Sequence, residues 1–180
     1  MSEDWVIPAI SAASGLGGTI IGGLISYFTQ RSFAQAKWDQ EVRAIAGAIG
    51  AEIDAYLDLM KRRNHVATAE QLSAGLRSGQ VLQIRGFMRK DAKPLDQFPV
   101  FTSQVEKLGL LGDVCFNLAR YYTLLAGVLT TVIDAEAGKY DQLSPAQKAD
   151  LVDEEVRVWQ EALNLGASLV IRLKHIARLN

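Results

Sequence analysis

The charged residues of this chain leave one long gap, which constrains the fold more than any other feature. After Asp4 no charged residue appears before Arg31, so 26 consecutive positions are uncharged. An α-helix over residues 5–28 would extend about 36 Å at 1.5 Å per residue, enough to cross a hydrocarbon core of about 30 Å with some tilt. The gap therefore predicts a transmembrane anchor at residues 5–28, preceded by a tail at 1–4.

The ends of this predicted anchor carry residues typical of a membrane interface. Trp5, Tyr27 and Phe28 lie at its two ends, where amphipathic aromatic side chains prefer the headgroup level, and Arg31 follows closely. Because basic residues follow the span and none precedes it, we expect the N-terminus outside and the rest of the chain in the cytoplasm. A cleaved signal peptide is disfavoured, since it requires a positive leading segment and this one is acidic.

Small residues recur every fourth position within the predicted anchor. Ser14, Gly18, Gly22 and Ser26 share one narrow helical face, which favours close packing against another membrane helix. The alternative is a buried helix in a protein core. It has some weight because the glycines and serines make the span only moderately hydrophobic, but the length and lack of charge favour the membrane.

The composition of the whole chain is typical of a folded protein. The chain has 180 residues, 49% hydrophobic and 22% charged, with one cysteine and a formal net charge of −1. These values exclude a disordered chain and an intrachain disulfide, and they are unlike an overall basic nucleic-acid-binding protein.

Residues 29–180 have helical periodicity almost throughout. Apolar residues step by 3 or 4 positions from residue 42 to residue 60, and a second, strongly apolar helix is predicted at 114–137. We therefore predict an all-α fold in which the transmembrane helix continues into a bundle of about four main helices. The 114–137 helix raises the alternative of a second span, but Arg120 near its start favours a central bundle helix.

Helix ends are predicted from local chemistry. The basic run at 61–63 followed by Asn64 indicates a stop, and residues 81–99 are a connection with some helix. Three N-terminal caps are predicted: Thr68 with Gln71, Asp113, and Ser144 with Pro145 and Gln147.

Residues capable of chemistry do not form a recognisable set. His65 and His175 lack metal-ligand spacing, and Cys115 lies on the apolar 114–137 helix, where buried thiols are ordinary. Glu52, Asp54 and Asp58 cluster on one helix, and we expect Asp58 to pair with Arg62 one turn away. The sequence thus predicts no catalytic residue, metal, cofactor or identifiable small-molecule substrate.

The charge of the predicted bundle is polarised. Residues 61–93 hold eight Lys+Arg against two acids, whereas residues 134–155 hold seven acids against two lysines. The basic segment could contact the anionic leaflet, an acidic partner or this acidic region, or simply be solvated. The possible basic surface consists of Lys61, Arg62, Arg63, Arg77, Arg85, Arg89 and Lys90.

Three short motifs suggest a relationship. The stretches 98–101 (FPVF) and 107–111 (KLGLL), followed by Tyr121-Tyr122, resemble a pattern of uncharacterised bacterial single-span, membrane-anchored helical proteins. The resemblance implies this architecture and a bacterial inner (cytoplasmic) membrane, and it supplies no site residues.

These patterns favour a membrane-anchored, non-enzymatic accessory or scaffold protein. It would work through protein–protein contacts of its span and bundle, with the lipid bilayer and a protein partner or second copy as its partners and no nucleic acid. Two alternatives stay open. One is a pore-forming, holin-like protein, and the other is an enzyme with an unrecognised site at Cys115 or among the carboxylates of residues 52–58.

Overall fold

The computed structural model describes the backbone of residues 6–80 and 93–178, and the side chains of residues 26–80 and 93–178. Within those residues the protein contains five α-helices, two 3₁₀ helices and no β-strand, which confirms the all-α prediction. The α-helices are α1 Val6–Arg63, α2 His65–Arg77, α3 Pro99–Gln104, α4 Val114–Glu136 and α5 Pro145–Ala177, and the 3₁₀ helices are Pro94–Gln97 and Val105–Leu111.

The chain divides into two compact units, Met1–Glu41 and Val42–Asn180. The α1 helix begins in the first unit and ends in the second. The second unit contains the hydrophobic core. It is described by itself below.

The core forms where the apolar stripe of α1 meets α4 and α5. Ile45, Ile49 and Ile53 are buried, as their spacing predicts. At Gly50 a Cβ atom would lie only 3.2 Å from Leu173 Cβ, so α1 and α5 are in close contact there. Burying each large aliphatic side chain stabilises the fold by about 1.5–3 kcal/mol. Other large side chains that are almost completely buried in this core are Phe98, Leu118, Tyr121, Tyr122, Leu125, Leu169 and Leu173.

A second apolar cluster joins α2 to the first half of α5. Leu76 of α2 is buried with Ala149, Val152 and Val156 of α5. The short helix at 65–77 therefore gains its stability from tertiary packing, because an isolated helix of this length is marginal in water.

The helix ends show which local predictions were right. Ser144 and Gln147 form the predicted reciprocal capping box at the start of α5. Thr68 does not cap a helix, because α2 already begins at His65; its hydroxyl donates to the Asn64 carbonyl oxygen at 3.0 Å instead. Asn64 has a left-handed conformation, φ 50°, which ends α1 and lets the chain turn at a single residue.

Asp113 occupies the N-cap position of α4, as predicted, but the expected side-chain contact is absent. The Asp113 side chain makes no capping hydrogen bond to α4; its carboxylate accepts from Arg172 of α5 at 2.5 Å. An ion pair between helices has replaced the local contact that the sequence suggested.

The membrane prediction requires correction. In the part of the chain that the structure describes, no helix is both long enough and apolar enough to span a bilayer. This contradicts the predicted localisation in a bacterial inner membrane with the N-terminus outside and a cytoplasmic domain, and the transmembrane character of residues 5–28 is unsupported. The described part of α1 has charged residues from Arg31 onward, and α4 carries Arg120 while burying one face in the core. The α4 helix is thus a bundle helix and not a second span.

Candidate functional site

Four of the eight residues predicted to pack or anchor in a membrane lie outside the residues whose side chains are described: Trp5, Ser14, Gly18 and Gly22. Ser26 is described, and its hydroxyl accepts a hydrogen bond from Gln30 Nε2 at 3.3 Å.

The described part of the first unit exposes large aromatic side chains. Tyr27 is 58% exposed, Phe28 59%, Phe33 72% and Trp38 52%. Single exposed apolar residues are ordinary, but four large aromatic side chains exposed within twelve positions are unusual, and such residues often mark a contact surface. We name residues 26–41 the aromatic segment.

The predicted basic surface is partly used inside the protein. Arg77 Nη2 lies 2.7 Å from Asp150 and 2.6 Å from Asp153, so the interpretation that the basic segment contacts the domain's own acidic region is confirmed for this residue. Arg62 pairs with Asp58 at 2.8 Å, as its spacing predicts. Arg85, Arg89 and Lys90 lie outside the described residues.

The carboxylates of α1, candidates for chemistry in the sequence, hold the fold together. Glu52 accepts hydrogen bonds from the backbone N–H groups of Val100 at 2.8 Å and Phe101 at 3.1 Å, and from the Tyr122 hydroxyl at 2.8 Å. It therefore caps α3 from a different helix. Asp54 accepts from Lys174 at 2.9 Å.

The Glu52 cap lies in an aromatic cluster. Tyr122 stacks on Phe101 with ring centroids 3.7 Å apart and meets Phe98 edge to face at 5.1 Å. Burial raises the pKa of Tyr56 to about 12. Burial, and after it the charge of Glu52, holds the pKa of Tyr122 above its ordinary value. These hydroxyls stay protonated across the physiological range, so the cluster is suited to packing and not to acid–base work.

A cavity of about 190 Å³ lies between α2, α4 and α5. Apolar side chains form most of its wall, because the two apolar clusters leave a gap where α2 meets the other two helices. The apolar lining includes Leu72, Val128, Val132, Leu151, Val152 and Val156. For comparison, a dry cavity of about 150 Å³ accommodates benzene.

Polar groups on one side of this cavity lack partners. Glu155 Oε1 accepts from the Thr131 hydroxyl at 2.7 Å, but Glu155 Oε2 is buried and has no hydrogen-bond partner among the described residues. The same holds for Trp159 Nε1. Glu155 and Trp159 both line the cavity and lie four residues apart on α5, so they occupy one helical face.

His65 adds a third group to this side. Its imidazole stacks on the Trp159 ring, with centroids 5.3 Å apart and an interplanar angle of 27°. Partial burial, and to a smaller extent the charge of Arg63, lowers the pKa of His65 below its ordinary value. The imidazole is therefore neutral at pH 7.

The sequence predicts no site here, because His65 lacks metal-ligand spacing and the other residues that line the cavity come mostly from three different helices. The signal for this site in the sequence was the four-residue spacing of Glu155 and Trp159, which places a carboxylate and an indole on the same face of a helix.

Within the described part of the chain, no three His, Cys, Asp or Glu side chains come close enough together to hold a metal ion. Cys115 is half-buried and packs against the core. Comparison of the chain with protein-family models, with curated proteins and with solved structures finds no match.

Proposed function

We propose that this protein is a non-enzymatic accessory or scaffold protein that acts through protein–protein contacts of its helices. The exposure of the aromatic segment is the observation that carries the proposal. Aromatic side chains supply much of the binding free energy at protein interfaces, and leaving their large apolar surfaces exposed to water is unfavourable.

The described candidates for catalysis support a non-enzymatic role because they are occupied by structural contacts. Glu52 caps α3, Asp54 pairs with Lys174 and Asp58 pairs with Arg62. Cys115 packs against the core.

The proposed partner at the aromatic segment is a second copy of the chain. Tyr27 and Trp38 are eleven residues apart, close to three helical turns, so they share one face with Ala34 between them. A small residue opposite a large one allows two helices to approach closely, as Trp38 of one copy does when it packs over Ala34 of the other.

The charges of the segment favour antiparallel pairing of the two copies. Arg31 and Lys37 precede Asp39 and Glu41. When Trp38 lies opposite Ala34 in antiparallel helices, Arg31 lies opposite Glu41. A parallel pair would place Arg31 against its own copy, which is unfavourable.

Sedimentation equilibrium of the full chain tests this proposal. We expect a concentration-dependent dimer, and Trp38→Ala should raise its dissociation constant at least about tenfold, as for an interface hot spot. Phe33→Ala is the matched control, because Phe33 is exposed on the same helix but about 120–140° away from the Tyr27 and Trp38 face. A chain that stays monomeric at all concentrations contradicts the proposal.

A charge exchange tests the antiparallel register. Arg31→Glu alone should weaken the dimer, Glu41→Arg alone should do the same, and the double variant should restore it. Two losses without recovery in the double variant would exclude this register.

A further inference from the structure

We propose that the cavity between α2, α4 and α5 is a binding site for a small, mainly apolar molecule that carries one hydroxyl group, such as a phenol or a medium-chain alcohol. This site is independent of the aromatic segment. The inference rests on the volume and lining of the cavity and on one buried, partnerless polar atom in each of two residues that line it.

The size of the cavity limits the ligand. Its volume is about 190 Å³, whereas a cavity of about 150 Å³ accommodates benzene. The difference leaves room for roughly one or two further heavy atoms. The wall is mostly aliphatic, so the body of the ligand must be apolar. A nucleotide, a sugar or a peptide is too large and too polar.

The two polar atoms define the functional group. Glu155 Oε2 needs a hydrogen-bond donor and Trp159 Nε1 needs an acceptor, and both are buried without one among the described residues. A hydroxyl group does both, because its hydrogen donates while its oxygen accepts. An ammonium group would leave the indole N–H without an acceptor, and a carboxylate would face Glu155 with like charge.

The surrounding contacts orient these atoms before a ligand arrives. The Thr131 hydroxyl donates to Glu155 Oε1 and thereby fixes the carboxylate, and the His65 ring stacks on the Trp159 indole. Two buried polar groups on residues that line an apolar cavity favour a ligand hydroxyl, since an analogue without the hydroxyl leaves both groups unpaired.

Isothermal titration calorimetry on the full chain with p-cresol and toluene tests the proposal. The two probes differ by the hydroxyl group alone, and toluene, which is less soluble in water, is favoured by hydrophobic transfer. We expect p-cresol to bind at least about tenfold more tightly than toluene, because two hydrogen bonds outweigh that transfer term. Equal binding, tighter toluene binding or no saturable binding of p-cresol overturns the proposal.

Substitutions assign the effect to this cavity. Glu155→Leu should reverse the preference to toluene, and Trp159→Phe should reduce it severalfold while retaining an aromatic ring. Glu154→Leu is the matched control, since Glu154 is exposed on the same helix and lies outside the cavity lining, and it should leave the preference unchanged. If Glu155→Leu fails to fold by circular dichroism, Trp159→Phe decides. An undiminished preference for p-cresol in Trp159→Phe contradicts the site.

A filling variant provides an independent measurement. Ala135 lines the cavity from α4, so Ala135→Leu should occupy its volume and abolish binding of both probes while leaving Glu155 and Trp159 in place. Unchanged binding of p-cresol to the folded variant would place the ligand elsewhere and overturn the assignment.

Discussion

Replacing Glu52 with alanine should destabilise the protein far more than any other single change to a carboxylate of α1. The substitution removes the acceptor of three hydrogen bonds, of 2.8, 3.1 and 2.8 Å. Each is a bond to a charged acceptor, for which about 1.5–3 kcal/mol net is typical, so we expect a loss of at least about 4 kcal/mol. Urea denaturation followed by circular dichroism at 222 nm measures the loss, which corresponds to a midpoint roughly 1–2 M lower.

A double-mutant cycle isolates the part of this loss that belongs to Tyr122. Tyr122 is only 1% exposed, so Glu52→Ala leaves its hydroxyl buried without an acceptor. Tyr122→Phe removes that hydroxyl and should cost about 1 kcal/mol alone, whereas adding it to Glu52→Ala should cost almost nothing. The coupling between the two sites should be about 1 kcal/mol or more.

The matched control is Asp58→Ala on the same helix. Asp58 makes an exposed pair with Arg62, and exposed i,i+4 pairs contribute about 0.3–0.5 kcal/mol. A Glu52→Ala loss as small as that of Asp58→Ala, or strictly additive effects of Glu52→Ala and Tyr122→Phe, would refute the interpretation of Glu52 as the cap of α3.

Three further outcomes are expected from the packing and the titratable groups. Gly166→Ala should cost about 1–3 kcal/mol of folding stability, because a Cβ there would lie 2.7 Å from the Tyr121 ring. Gly127 is exposed in α4 and a Cβ there would meet no neighbouring atom, so Gly127→Ala should stabilise the protein by about 0.5–1 kcal/mol. Thermal denaturation of both variants distinguishes these outcomes. The pKa of His65 is lowered in the folded protein, so as the pH falls the unfolded chain binds a proton at this residue first, and stability should fall as pH drops through about 6.5. His65→Asn should flatten this part of the melting-temperature profile. An unchanged profile in that variant contradicts the prediction. The raised pKa values of Tyr121 and Tyr122 mean that the unfolded chain loses protons first above pH 10, so stability should fall there by about 1.4 kcal/mol per pH unit for each group. Tyr122→Phe should flatten this part of the melting-temperature profile, and an unchanged slope in that variant would exclude the interpretation.

The sequence alone determined the helical elements. The apolar spacing of Ile45, Ile49 and Ile53 predicted the buried face of α1, and Ser144 with Gln147 predicted the start of α5. These features are local, since helical periodicity and capping depend on residues within about one or two turns. The same reasoning failed where a distant group competed, as at Asp113, whose carboxylate pairs with Arg172.

The charge-free gap at the N-terminus illustrates a different limit. Its length and lack of charge predicted a membrane span, but these properties describe only one helix and carry no information about what surrounds it. The described helices do not support that localisation. Similarly, the exposure of Trp38 became visible only when the neighbouring elements were placed, because helical spacing by itself assigns Tyr27 and Trp38 to the same stripe as the buried Ile45.

The tertiary structure alone decided the contacts that define the candidate sites. Glu52 caps α3, whose first residue lies 47 positions later in the chain. Phe98, the residue before α3, has no capping side chain of its own, and this was the sequence signal that the cap must come from elsewhere. The cavity depends on α2, α4 and α5 meeting without filling the space between them. Such distances and gaps arise from the packing of whole helices, so the sequence specified the helices of this protein and their packing determined which polar groups were left for a partner.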